Sequence, residues 1–349
     1  MNKRIYIIVS IIILIAIIIL LLLKYCDQKE INGGTPIVEI IEPFKTQLKP
    51  EFNVNLSPDD VRPGLIQGTI FIVPNDLDSI KSLNPDDFVI CIFLEDSCIF
   101  KPANNDFEIQ SISEKKDKIA TSLVLDYSGS MFTPYQFQDY SSGAVNSIIP
   151  INELISAVQN FFSYYQHKDI AEIIKFGSTF DQSSGFTDDK SYLINFILNN
   201  NDNRGSTALY NSVYYAIDNL KTINQDEYIR AVIAFADGQN NVLGKTDEDV
   251  INLANENKIP VFSVCFESTE GDCNALENIS SLTGGINLIS PDPLSLMDLY
   301  NRINYSIRNS YYIKFTYPVD IFQKYKGRAK IKLRIVKDKI AVAEYIRYL

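Results

Sequence analysis

The chain has 349 residues, 46% apolar and 21% charged, which suits an ordinary domain plus a smaller unit, each with a packed core. Its net charge of −11 argues against nucleic acid, whose phosphates call for a basic surface. The single histidine, His167, leaves Ser-His-Asp and Cys-His catalysis one residue to draw on. It sits in a polar stretch that reads as the exposed end of a helix.

The first element is an unbroken apolar run from Ile5 to Leu23, interrupted only by Ser10. At ~1.5 Å per residue it extends ~28 Å, about the thickness of a bilayer's hydrocarbon. Lys24 and Tyr25 follow, where a cleaved leader would carry small residues, so the run reads as an uncleaved transmembrane anchor over residues 1–26. Lys3 and Arg4 precede it, which places the N-terminus in the cytoplasm and the bulk of the chain outside. Cys26 invites a lipoprotein reading, against which the bulky Lys24 and Tyr25 weigh.

Residues 27–50, with Gly33-Gly34 and three prolines, form a stalk with one short candidate strand at Ile37–Ile41. Residues 51–118 are β-rich and immunoglobulin-like, with strands predicted at Thr69–Val73, Asp87–Leu94 and Phe107–Gln110. From 119 to 309 strands and helices alternate, the pattern of a doubly wound, Rossmann-like parallel sheet covered by helices on both faces. Residues 310–349 return to β, with Lys330, Lys332 and Arg334 on one face of a strand and Ile331, Leu333 and Ile335 on the other. The flanks are expected to build one sandwich with the α/β unit inserted; two separate β units are the alternative. Cys91 with Cys98, and Cys265 with Cys273, are spaced for two local disulfides or are four buried thiols.

Three separated pieces carry the chemistry. Asp126-Tyr127-Ser128-Gly129-Ser130 follows the predicted strand Ser122–Leu125. Gly205-Ser206-Thr207 precedes the helix beginning at Ala208. Asp237-Gly238 follows the strand Val232–Ala236. In a doubly wound sheet such loops gather at the carboxyl edge of the strands. Asp126, Ser128, Ser130, Thr207 and Asp237 would then present two carboxylates and three hydroxyls, an all-oxygen set for one hard divalent cation. Gly129 is expected to let the first loop turn. Asn240 and Asn241 read as ordinary loop residues that could reach a partner.

These pieces resemble the metal-ion-dependent adhesion site of von Willebrand factor type A domains. Leu123–Met131 is close to that family's first motif, Gly205–Tyr210 looks like its second, and Phe235–Gly238 looks like its third. Leu282-Thr283-Gly284-Gly285 resembles a late family feature. The similarity covers about Ile119 to Asn309. The resemblance implies that Ser128, Ser130 and Thr207 ligate the metal directly, and that Asp126 and Asp237 do so directly or through water. Mg²⁺ is expected first, with Mn²⁺ and Ca²⁺ as alternatives, and a partner's Asp or Glu would complete the shell. Ser206 and Ala236 depart from the family's usual residues at positions that are not ligands. Phe132-Thr133-Pro134 stands where integrin β chains carry a further acidic pair, so one metal is expected rather than a cluster.

The expected function is a membrane-anchored, non-enzymatic binding protein that recognises a carboxylate on a protein partner. A permanent, metal-independent scaffold subunit is the alternative. A metal-dependent hydrolase stands third, because no base other than the ligands is in view.

Overall fold

The computed structural model describes residue 44 and residues 47–349, apart from 78–82, 104, 115, 117, 139–144, 180–181, 200–203, 238–239, 267–272 and 291. The predicted anchor at 5–23, Cys26, the stalk strand at 37–41 and Gly238 lie outside the described residues. Among the described residues no helix is long and apolar enough to cross a membrane.

Among the described residues the first strands are β1 (Phe52–Arg62), β2 (Leu65–Pro74), β3 (Phe88–Leu94), β4 (Ser97–Phe100) and β5 (Phe107–Ser111). The α/β stretch follows with β6 (Lys118–Asp126), a β7–β8 hairpin (Tyr135–Gln138, Val145–Ile148), α1 (Pro150–Ser163), β9 (Ile170–Phe176) and β10 (Gln182–Ser183). Next come α2 (Lys190–Leu198), α3 (Leu209–Leu220), β11 (Tyr228–Ala236), α4 (Asp247–Asn257) and β12 (Val261–Phe266). That stretch ends with α5 (Asn274–Thr283), β13 (Asn287–Ser290) and α6 (Leu296–Arg308). The chain finishes with β14 (Tyr311–Thr316), the short α7 (Val319–Tyr325), β15 (Ala329–Lys337) and β16 (Ile340–Tyr348).

The central sheet runs β10-β9-β6-β11-β12-β13, with every neighbouring pair parallel except the two-residue edge strand β10. Every residue of β6 after Lys118 is buried, and Leu123, Val124 and Leu125 are wholly so. Such a strand has both faces covered, which is why it reads as an apolar run rather than an alternation. One face packs on Leu154 and Val158 of α1, Leu193 of α2 and Ile303 of α6. The other packs on Val213 of α3, Val250 of α4 and Ile279 of α5. Each large aliphatic side chain buried this way contributes roughly 1.5–3 kcal/mol.

The remaining strands form two four-stranded antiparallel sheets, β1-β2-β14-β5 and β16-β15-β3-β4. Each sheet draws strands from both flanks: β14 lies between β2 and β5, and β15 lies beside β3. Their facing sides share one core, including Ile70, Ile72, Ile90, Ile313, Phe315 and Leu333. Phe71 and Val73 on the other side of β2 belong to the α/β core, where the Phe71 ring meets that of Phe262 edge-on at 5.1 Å. The layers therefore run from the α/β unit, through the β2 sheet, to the β15 sheet. Cys91–Cys98 and Cys265–Cys273 are both disulfide-bonded, with Cα separations of 6.1 and 5.7 Å, so the local pairing holds for both. His167 is exposed just beyond α1.

Candidate metal centre

Asp126 ends β6 and Asp237 follows β11, the strand hydrogen-bonded beside it. The register pairs Leu125 with Phe235, so the two carboxylates leave the same end of adjacent strands, offset by one residue. β6 leads through α1 to β9 on one side, while the chain later returns to β11 on the other. The two acids thus sit where strand order reverses, the place where such sheets open a crevice.

Backbone hydrogen bonds draw the other pieces in. The Gly129 N–H donates to the Gly205 carbonyl at 2.9 Å, and the Arg204 N–H donates to the Tyr127 carbonyl at 2.8 Å. The Ser178 N–H donates to the Arg204 carbonyl at 2.9 Å, and the Ala208 N–H donates to the Gly177 carbonyl at 2.7 Å. Gly205 has φ +83°, a left-handed conformation that favours glycine. Gly129 instead opens a right-handed 3-10 turn, Gly129–Phe132, so the expectation that its special freedom makes the turn is corrected: an ordinary residue could adopt this backbone.

All five predicted oxygen-bearing side chains lie at this edge. Asp126, Ser128, Thr207 and Asp237 are buried and Ser130 is exposed, which leaves the site open on one side. The Ser128 and Ser130 hydroxyls are 3.1 Å apart. Asp126 Oδ1 accepts the Ser128 N–H at 2.7 Å, the Asp237 backbone also donates to the Asp126 carboxylate, and the Ser130 side chain hydrogen-bonds the Asp237 carboxylate. Asp126 Oδ2 is buried and has no hydrogen-bond partner.

That arrangement is costly for two anions. Burial, and then the charge of Asp237, push the Asp126 carboxyl up to about 7 from its ordinary 3.8, against the hydrogen bonds that lower it. Burial also raises Asp237. Buried charges are normally paired or bound to metals. Among the described residues no group of three or more His, Cys, Asp or Glu could hold a metal ion. An ion at this edge therefore needs the hydroxyls to complete its shell, and two carboxylates with three hydroxyls fit a hard divalent cation.

Two supports of the site escaped the sequence reading. Asn240 and Asn241 hold the second and third loops together: Asn240 Oδ1 accepts the Tyr210 N–H at 3.2 Å, and Asn241 Oδ1 accepts the Thr207 N–H at 2.6 Å. Lys175 is fully buried on β9. Its ammonium donates to the carbonyls of Ile197, at 3.1 Å, and Asn199, at 2.5 Å, and lies over the Tyr127 ring at 4.9 Å from the centroid. It thus caps α2 with a positive charge and presses on the residue between Asp126 and Ser128. A lysine inside an apolar strand, Ile170–Phe176, was the visible signal.

No family model and no curated protein matches the chain. Solved structures similar to it include an aerotolerance-related membrane protein from Bacteroides fragilis, at 15% identity over 54% of this chain and 98% of that one, TM-score 0.39. A von Willebrand factor type A protein from Catenulispora acidiphila is 9% identical over 90% of this chain and 74% of that one, TM-score 0.43. Proximal thread matrix protein 1 from the mussel byssus, with a zinc-occupied adhesion-site motif, is 13% identical over 55% of this chain and 48% of that one, TM-score 0.42.

Proposed function

We propose that this chain is a membrane-anchored recognition protein facing away from the cytoplasm. In this reading Asp126, Ser128, Ser130, Thr207 and Asp237 hold one divalent cation, Mg²⁺ first, and the partner is a protein that offers an Asp or Glu. The observation that carries it is Asp126 Oδ2, a buried carboxylate oxygen without a partner beside a second carboxylate on the adjacent strand.

When bound, the cation supplies a positive point that attracts an anionic oxygen. The chain's own residues do the rest. Asp126 and Asp237 roughly cancel the ion's charge, and the neutral hydroxyls leave it attractive to an outside carboxylate. The exposed Ser130 marks the open side. Burial of Asp126 keeps water from screening the pair. Residues 5–23 serve as the anchor in this reading, with 1–4 in the cytoplasm.

Calorimetric titration of the full chain in detergent with Mg²⁺, Mn²⁺ and Ca²⁺ tests the site. Uptake of one ion by the native chain, weakened in Ser130→Ala and lost in Asp126→Ala, is expected. No uptake of any of the three by a folded chain would sink the proposal. Partner capture with and without EDTA then separates recognition from scaffolding, since a permanent scaffold keeps its partner in chelator.

A further inference from the structure

We infer that the part of the outer face of the β16-β15-β3-β4 sheet around Lys330, Lys332 and Tyr348 is a contact surface for anionic phospholipid headgroups, against which the molecule sits on its own membrane. The inference rests on the anchor reading above and adds an orientation and a lipid preference to it.

Charge is the first observation. Between Val319 and Leu349 the chain carries nine Lys or Arg against three Asp or Glu, a net +6, while the whole chain is −11. The basic residues are thus concentrated in the last strands of a molecule that is acidic elsewhere. On β15, Ile331, Leu333 and Ile335 turn into the sandwich core and Lys330 and Lys332 alternate outward, half-buried, while Arg334 further along that side is buried and paired with Glu344 at 2.7 Å. Lys324, Lys326 and Arg328 are exposed in the segment that leads into that strand.

The second observation is the apolar and aromatic material among these charges. Ile346 and Tyr348, which pair with Lys332 and Lys330 across β16, are 45% and 60% exposed. The Lys330 ammonium lies 5.3 Å from the centroid of the exposed Tyr348 ring, and that of Lys332 4.7 Å from the centroid of the Phe93 ring, itself buried beneath Phe44. A basic face set with a tyrosine and an exposed aliphatic side chain suits a headgroup region, where cations meet phosphates and an amphipathic ring sits between water and acyl chains.

The third observation is position. The β2 sheet lies between the β15 sheet and the α/β core, to which it supplies Phe71 and Val73, and the α/β unit meets the edge of the β15 sheet across a cleft that Ile346 of β16 shares with Ser281 and Ile289. Phe44, the first described residue, lies on the same outer face of the β15 sheet. Phe44 packs edge-on against Phe93 at 4.9 Å and lies under the Arg334 guanidinium at 5.2 Å. Lys49 and Glu51 then hydrogen-bond to the carbonyls of Ala341 and Val342 on β16. Phe44, which stands about 20 residues after the apolar run in the sequence, thus lies on the layer beyond the β2 sheet from the α/β core.

Amine-reactive footprinting of the full chain, reconstituted in phosphatidylglycerol or phosphatidylcholine vesicles, tests this. Lys330 and Lys332 would be read against Lys245, which is exposed in the loop between β11 and α4. The expected result is labelling of Lys330 and Lys332 about fivefold slower in phosphatidylglycerol than in phosphatidylcholine, with Lys245 unchanged and the difference lost in high salt. The double variant Lys330→Glu, Lys332→Glu is expected to abolish the matching protection of Lys326 while binding Mg²⁺ like the native chain. Equal labelling in both lipids overturns the inference, as does equal protection by both. Protection in phosphatidylcholine that needs an added acidic protein also overturns it, in favour of a protein partner. An alkaline wash tests the anchor separately. A chain that washes off both vesicles yet floats with phosphatidylglycerol alone keeps the surface and loses the anchor. A chain that floats with neither loses both.

Discussion

Thr207 and Asn241 hold each other through two hydrogen bonds. The Thr207 N–H donates to Asn241 Oδ1 at 2.6 Å, and the Asn241 N–H returns to the Thr207 carbonyl at 3.1 Å. The loop after β11 therefore fixes the residue that brings a hydroxyl to the site before α3. Asn241→Ala removes the side-chain half of this clasp and leaves every proposed ligand in place. Mg²⁺ affinity is expected to fall about tenfold or more, as happens when a residue that orients a ligand is lost. Calorimetry on a variant with an unchanged melting temperature would show it, and native affinity would disprove the clasp's role.

Asp126→Asn has opposite effects with and without metal. It relieves the repulsion between two buried carboxylates, so in EDTA at neutral pH the variant is expected to melt several degrees above the native chain. Added Mg²⁺ should raise the native Tm and leave the variant's where it was. Scanning calorimetry of both proteins in both conditions checks this.

The pH dependence has a definite sign. In the folded, metal-free chain Asp126 keeps its proton up to about pH 7, whereas the unfolded chain releases it near 3.8. The folded state binds more protons in that window, so this group's contribution is fully present below 3.8 and is lost as pH rises through about 7. Between pH 5 and 7.5 in EDTA, the native Tm should fall relative to that of Asp126→Asn. A constant difference across the range would contradict the raised carboxyl.

Lys175→Met exchanges a buried ammonium for an apolar chain of similar length. The carbonyls of Ile197 and Asn199 lose their donor at the end of α2, and the expected loss is about 2–4 kcal/mol. Urea unfolding measures it, and a loss within experimental error would show that the cap is dispensable.

Gly284 is the joint between the two units. It has φ +85° at the end of α5, and an added Cβ would stand 2.2 Å from Ser57 Cα on β1. An added Cβ on Gly285 would stand 2.0 Å from the Val261 carbonyl oxygen. Alanine at either position must push backbone apart, so each variant is expected to lose about 3 kcal/mol or more. Equilibrium unfolding of the two variants tests this.

What could be read in advance followed from the kind of signal each element carries. β6, β9, β11 and β12 are buried on both faces, so their sequences are apolar runs, and each proposed ligand stands at the end of such a run or before a helix. β1 gave no such sign. It carries Asn53, Asn55, Ser57 and Pro58, pairs through a register shift after Pro58, and is held by β2 across it. The β7–β8 hairpin has strands of only four residues each and the seven-residue α7 is too short for a period to show. At the site, the ligand types were visible because spacing and chemistry coincide in Asp126–Ser130. Asn241 was not, because a single asparagine in a loop looks the same whether it faces solvent or grips a backbone 34 residues away.

Both sandwich sheets join strands from opposite ends of the chain, with Ile70 of β2 beside Tyr311 of β14 and Ile92 of β3 beside Ile331 of β15. As the protein leaves the ribosome, β2 and β3 emerge with their apolar sides exposed and without their partners. The inserted unit, complete in sequence by Arg308, can close around its own five parallel strands while the sandwich waits for the last forty residues. Truncation near residue 310 would therefore leave two strands ready to pair with another copy, so the C-terminal hairpin also guards the newborn chain against aggregation.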